Sequence, residues 1–153
     1  QPETEYGWIE PGEPIGWTGQ GPVHAIRRFR EKPSQEAAEA LLLGGSLWNT
    51  FVFAARAAVL LSAGREGAPP LYERLASLRE LAGGEHERWA VRQAYALAPT
   101  VDFSRTVLEA CPQMLAVSKL PGLTWCDLGS PERVVTMLTR LGISAPGLGT
   151  YTA

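Results

Sequence analysis

The dipeptide Glu31-Lys32 places a carboxylate directly beside an ammonium group, immediately before Pro33. Proline has no N–H to donate and restricts the residue before it, so a strand that begins near Val23 should end here with Lys32 in an extended conformation. A carboxylate accepts hydrogen bonds from sugar hydroxyls, and an ammonium holds a phosphate as a point charge. The pair suits a phosphorylated sugar. A solvated charge pair at a strand end is the alternative that the dipeptide alone leaves open.

Gly7 and Asn49 are two further candidates for contact with a sugar. Gly7 interrupts an aromatic, strand-like run, where a glycine usually marks a bulge or the close approach of another group to the backbone. Asn49 stands in the apolar run 47–53, which predicts a largely buried strand, and a buried amide needs hydrogen-bond partners. Sugar hydroxyls and neighbouring protein groups both satisfy these requirements. We expect Gly7 and Lys32 to lie at neighbouring strand ends.

Composition and charge exclude several classes of protein. The 153 residues are 45% hydrophobic and 20% charged, which is typical of one globular domain. A net charge of −2, with basic residues scattered among acidic ones, predicts no nucleic-acid partner. The longest apolar run, 54–63, is short and contains Arg56, so no membrane span is predicted. The polar start lacks the features of a signal peptide, which favours a cytoplasmic protein.

Capping residues and hydrophobic spacing predict strands that alternate with helices. Glycine, proline and threonine over residues 13–22 indicate a loop before the strand that ends at Glu31. Ser34 can begin a helix that ends at Gly44-Gly45. An all-helical insertion follows, with helices predicted over residues 54–63, 71–82 and 85–97.

After the insertion the chain is predicted to return to its sheet. Asp102 can cap a short helix that runs to Glu109. Strands are predicted over residues 114–118 and 123–129. Asp127 falls near the end of the second strand, and Ser130 can cap the helix that follows it. Residues 142–153 are rich in Gly, Pro, Ser and Thr and predict a linker or tail.

Five motifs in a fixed order give the chain its resemblance to the sugar-phosphate nucleotidyltransferases. They are the run from Pro2 to Glu10, Phe29-Arg30-Glu31-Lys32-Pro33, Trp48-Asn49, Asp102-Phe103 and Trp125-Cys126-Asp127-Leu128-Gly129-Ser130. The resemblance implies an α/β fold, as the second half of a Rossmann-like nucleotidyltransferase domain with a mixed sheet and a helical insertion. Residues 1–141 would form this half. The first half of the family's domain, with its nucleotide-binding loop, is expected to be a missing partner of this chain.

The resemblance also implies a reaction that joins a sugar 1-phosphate to a nucleoside triphosphate and releases pyrophosphate. The motifs are nearest to the branch that uses mannose 1-phosphate, so mannose 1-phosphate and GTP are the expected substrates. By the resemblance, Gly7, Glu31 and Asn49 contact the sugar, Lys32 contacts its phosphate, and Asp127 is one of two aspartates that hold Mg²⁺. Magnesium prefers oxygen ligands and retains waters, so one or two aspartates suffice.

Two other hypotheses come from departures from the family's pattern. Phe51 stands where the family usually has glycine, which would change the shape of the sugar pocket, and Pro131 stands where the family usually has tryptophan. A non-catalytic sugar-phosphate-binding or regulatory module is therefore the alternative, and a structural remnant is a third hypothesis. On any of these, we expect the isolated 153-residue chain to be inactive. An unpaired strand edge would favour self-association as a homo-oligomer.

Overall fold

In a computed structural model, which describes residues 2–123 and 125–143, four strands form one sheet. The strands are β1 (Gly7–Thr18), β2 (Gly21–Glu31), β3 (Leu47–Trp48) and β4 (Ala116–Ser118). Their order across the sheet is β3-β1-β2-β4, and all three pairings are antiparallel. The predicted α/β class is confirmed, with antiparallel pairing throughout the described sheet.

A long hairpin of β1 and β2 positions the end of the strand that carries Glu31. Gly7 pairs with Glu31 at one end of the hairpin, and pairing continues as far as Thr18. The predicted loop over residues 13–22 is therefore wrong. The prolines and glycines of this stretch are accommodated by three register shifts between positions 10 and 16, because bulges absorb residues that a regular ladder cannot.

The helices of the described residues include the predicted helical insertion. They are α1 (Gln35–Leu43), α2 (Ala57–Gly67), α3 (Pro69–Ala76), α4 (Glu87–Ala96) and α5 (Pro131–Arg140). Short 3₁₀ turns occupy Ser77–Leu81 and Pro112–Met114, and a π-helical segment occupies Ser104–Leu108. The insertion is confirmed, although α2 starts later than predicted and runs through Gly64. Within the described part of the chain, every helix is too short or too polar to cross a bilayer.

Side-chain caps begin three of the helical segments as predicted. The hydroxyl oxygens of Ser34 and Ser130 each accept a hydrogen bond, at 3.3 Å, from the backbone N–H three residues further on. Asp102 Oδ1 accepts one from the backbone N–H of Arg105 at 3.1 Å. Each cap satisfies one of the N–H groups that a helix leaves unpaired in its first turn.

Two predicted strands differ from the prediction. The run 47–53 pairs only at its first two residues, because Asn49 Oδ1 accepts a hydrogen bond from the backbone N–H of Phe51 at 3.0 Å, and Phe51 turns to a left-handed φ of 57°. Residues 125–129 form no strand, and Thr124 lies outside the described residues. Leu128, directly after Asp127, has a φ of 50°, which an extended strand cannot contain.

The chain divides into two compact units, one ending at Lys119 and one beginning at Leu120. In the first unit, the π-helical segment Ser104–Leu108 belongs to two hydrophobic clusters. One packs this segment against the hairpin, and its buried members are Ile9, Ile26, Phe29 and Leu108. The other packs it against α2 and α3, with Ala63, Ala68 and Val107 buried. The π-helical segment thus joins the hairpin to the helical insertion. Most of the predicted tail, from residue 144 onward, lies outside the described residues.

Gly67 lies where α2 meets the π-helical segment, and its lack of a side chain permits that contact. A Cβ built on Gly67 would overlap the Thr106 carbonyl oxygen and lie 3.0 Å from Val107 Cα. We expect Gly67→Ala to lower the free energy of unfolding by about 1–3 kcal/mol, because backbone has to move. The control, Gly64→Ala in the same helix, meets nothing within 4 Å and should raise it by up to about 1 kcal/mol. Urea unfolding of both variants is the measurement, and equal effects would contradict this packing.

Candidate functional site

Gly7, Glu31 and Asn49 meet at the end of the hairpin where the pairing of β1 with β2 begins. A Cβ built on Gly7 would lie 2.8 Å from Glu31 Oε2, 2.9 Å from Phe29 Cζ and 3.2 Å from Asn49 Cβ. The backbone N–H of Asn49 also donates to the Gly7 carbonyl oxygen at 2.7 Å. Glycine allows this close approach because it has no side chain. The structure therefore brings together the three residues that were predicted to contact a sugar.

Lys32 continues the chain from the same corner. Its backbone N–H donates to the Tyr6 carbonyl oxygen at 3.3 Å, and its φ of 47° is left-handed. The predicted extended conformation of Lys32 is wrong, because the chain turns at this residue before Ser34 caps α1. Its Nζ lies 3.7 Å from Glu5 Oε2, and both side chains are at least half exposed. Exposed pairs of this kind contribute little, so the ammonium can still bind an anion.

The surroundings of Glu31 raise the pKa of its carboxyl group. Burial raises the pKa of the Glu31 carboxyl above its ordinary value, and the Asp102 carboxylate raises it further. A hydrogen bond with the Ser104 side chain and the positive charges of Lys32 and Arg105 act in the opposite direction, but the pKa remains raised. Glu31 therefore exchanges its proton at a higher pH than an ordinary glutamate does.

Asp102 and Ser104 belong to this site, although the sequence predicted only a capping role for Asp102. The Asp102 side chain does cap the π-helical segment, and its charge also acts on Glu31. Ser104 is the buried polar residue of the described core, 8% exposed. Buried hydroxyl groups need hydrogen-bond partners. A serine just before the apolar residues of this segment was therefore the sequence feature that could have identified Ser104 as a site residue.

An aromatic cluster borders the site beyond Asn49. The ring of Phe51 packs edge-on against Phe53, at a centroid distance of 5.9 Å, and against Phe103, at 6.0 Å. Asn49 uses its Oδ1 to hold the Phe51 backbone N–H, while its Nδ2 has no hydrogen-bond partner among the described residues. The amide nitrogen of Asn49 can therefore donate to a ligand. We refer to Phe51, Phe53 and Phe103 as the aromatic cluster.

Left-handed backbone marks the segments that carry the predicted site residues. Lys32, Phe51 and Leu128 are the described non-glycine residues with positive φ. Lys32 is itself a predicted site residue, Phe51 lies two positions after Asn49, and Leu128 directly follows Asp127. Such residues cost of order 1–3 kcal/mol each and are concentrated at functional sites. The strained backbone therefore falls in the same segments of the chain as the motifs that predicted the site residues.

Asp127 lies in the second compact unit, where its carboxylate is engaged by Arg133. Arg133 Nη1 donates to both carboxylate oxygens, at 2.8 Å and 2.7 Å. In residues 2–123 and 125–143, no group of three or more His, Cys, Asp or Glu side chains could hold a metal ion. A magnesium site needs carboxylate oxygens that are open to the ion. With Arg133 bonded to both of its oxygens, the Asp127 carboxylate does not fit a magnesium site in this arrangement. Its magnesium role stays a prediction of the sequence.

Comparison with known proteins gives consistent matches. The sequence profile described as "Nucleotidyl transferase" matches residues 1–141. A mannose-1-phosphate guanylyltransferase of Sinorhizobium fredii (strain NBRC 101917 / NGR234) is 32% identical over 138 residues, which are 87% of this chain and 25% of that relative. Mannose-1-phosphate guanylyltransferase 2 of Escherichia coli O157:H7 is 35% identical over 74 residues, 46% of this chain and 15% of that relative. The chain thus spans a quarter or less of these curated relatives.

A solved structure is similar as well. The crystal structure of mannose-1-phosphate geranyltransferase from Thermus thermophilus has a TM-score of 0.54 and 33% sequence identity to this chain. The match covers 71% of this chain and 29% of that one. The likeness therefore includes both fold and sequence over most of the chain.

The electrostatic arrangement at Glu31 predicts two opposite pKa changes. Asp102→Asn should lower the pKa of Glu31, because it removes the nearby negative charge while keeping an oxygen that can cap the segment. Ser104→Ala should raise it, because the hydrogen bond with Glu31 is lost. NMR titration of the Glu31 carboxyl carbon measures both, and shifts of the same sign would contradict the arrangement.

Proposed function

The chain belongs to the nucleotidyl transferase family, and from this premise we propose that it carries the sugar-phosphate-binding part of an enzyme that transfers a nucleotide to mannose 1-phosphate. The second substrate is a nucleoside triphosphate, for which we propose GTP, and pyrophosphate is released. The observation that carries the proposal is the meeting of Gly7, Glu31 and Asn49 next to Lys32. The names of the two guanylyltransferase relatives support the choice of substrates.

The sugar binds between Glu31 and Asn49 in this proposal. The Glu31 carboxylate accepts hydrogen bonds from sugar hydroxyls, and the Asn49 amide nitrogen donates to one. Gly7 allows both groups to approach its backbone, since a Cβ there would lie 2.8 Å from the Glu31 carboxylate. Two polar groups at one corner therefore fix the orientation of the sugar.

Lys32 holds the phosphate of the sugar. In the reaction, an oxygen of that phosphate forms a bond to the α-phosphorus of the nucleoside triphosphate, while the bond from this phosphorus to the pyrophosphate oxygen breaks and pyrophosphate leaves with the electron pair. Two anions have to approach each other, and the ammonium of Lys32 offsets part of their repulsion. Positioning and charge neutralisation supply most of the catalysis in transfers of this kind.

The other substrate requires residues outside this chain. The chain spans 25% of its S. fredii relative. We therefore expect the nucleotide to bind mainly to other parts of the protein, namely the other half of the nucleotidyltransferase domain. Small-molecule sites occur preferentially at the interfaces between domains, where several segments of a protein meet. The activity is therefore that of the full-length protein.

Lys32→Ala in the full-length protein tests the phosphate contact. We expect kcat/KM for mannose 1-phosphate to fall by about 10²-fold, for a charge-assisted contact of about 2–3 kcal/mol. The matched control is Lys119→Ala, which removes an exposed lysine just after β4 and should leave the kinetics unchanged. Strand β4 pairs with residues Val23, His24 and Ala25 of β2, toward the opposite end of the hairpin. Pyrophosphate release is the assay, and equal kinetics of the two variants would refute the role of Lys32.

A further inference from the structure

Phe51 combines a strained backbone with an exposed ring. Its φ of 57° is one that a side chain with a Cβ rarely adopts. Burial of the ring could offset this strain, but Phe51 remains 54% exposed as a residue, and Phe53 remains 53% exposed. The ring makes edge-on contacts to Phe53 and Phe103, with interplanar angles of 89° and 83°. Core packing therefore does not account for an aromatic residue at this position.

The position of Phe51 is set by the residues of the sugar site. The Asn49 side chain accepts the Phe51 backbone N–H at 3.0 Å, and Asn49 Cβ lies 3.2 Å from the Cβ position of Gly7. On its other side the ring contacts Phe103, which directly follows the aspartate whose charge raises the pKa of Glu31. The exposed ring thus lies at the border of the polar corner.

A hexose ring presents hydroxyls at its rim and an apolar face of C–H groups. The face of an aromatic ring carries partial negative charge and attracts such C–H groups, and small-molecule sites combine aromatic walls with a few polar groups. We infer that Phe51 is a sugar-contacting residue whose exposed face stacks on the apolar face of the sugar of the sugar 1-phosphate. Glu31 and Asn49 bind the hydroxyls of the same ring. This inference rests on the proposed function.

The test compares two ligands in the full-length protein by isothermal titration calorimetry. Mannose 1-phosphate carries the sugar, and inorganic phosphate lacks it. Phe51→Leu should weaken mannose 1-phosphate binding by about fivefold to tenfold and leave phosphate binding unchanged, because only the stacking face is lost. Phe51→Tyr keeps that face and should retain the affinity. Val52→Ala changes the adjacent residue, which is 81% exposed, and should alter neither affinity.

A second variant distinguishes a loss of sugar binding from a loss of folding stability. Phe51→Gly removes the ring and also the strained conformation, so its melting temperature should be equal to or above that of the wild type while its mannose 1-phosphate affinity falls as in Phe51→Leu.

The outcomes separate the inference from the proposed function. Equal mannose 1-phosphate affinity of the wild type and Phe51→Leu overturns the role of Phe51 and leaves the proposed function standing. A parallel loss of affinity for mannose 1-phosphate and phosphate also overturns it, since the ring then maintains the site as a whole. A wild-type protein that binds phosphate but gains nothing from the mannose ring contradicts the proposed function itself, and the inference with it.

Discussion

The backbone of Gly7 closely approaches three side chains, and this contact joins the core, the sheet and the candidate site. Phe29, Glu31 and Asn49 all lie within 3.2 Å of the place where a Cβ would stand on Gly7. Phe29 belongs to the hydrophobic cluster under the hairpin, and Glu31 ends β2. Asn49 follows β3, and the backbone N–H of Asn49 donates to the Gly7 carbonyl oxygen. One absent side chain thus allows core, sheet edge and candidate site to share a single corner.

The π-helical segment Ser104–Leu108 provides the second support of that corner. Its Leu108 packs with the hairpin, its Val107 packs with α2 and α3, and its Ser104 bonds the Glu31 carboxyl. The charge environment of Glu31 is therefore coupled to the packing of the helical insertion. A role in positioning site residues explains why a segment between helices, far along the chain from Glu31, carries both polar and buried apolar side chains.

The sequence predicted the chemistry of the corner better than its backbone. Proline, glycine and capping serines gave the end of β2 and the start of α1, because these residues act locally. The backbone turns were missed: Lys32 turns where its N–H bonds the distant Tyr6 carbonyl, and Phe51 turns on a local bond to the Asn49 side chain. A proline-rich stretch also forms a bulged strand instead of a loop. Asp102 could be predicted as a cap, but its effect on Glu31 depends on long-range packing that no local pattern contains.

A crystal structure of the full-length protein with mannose 1-phosphate bound would show whether the sugar lies at the corner formed by Gly7, Glu31 and Asn49. We expect sugar hydroxyl oxygens within about 3.2 Å of the Glu31 carboxylate and a phosphate oxygen at hydrogen-bond distance from Lys32 Nζ. Mannose 1-phosphate bound at a different place, with the corner formed by Gly7, Glu31 and Asn49 occupied by solvent alone, would contradict this expectation.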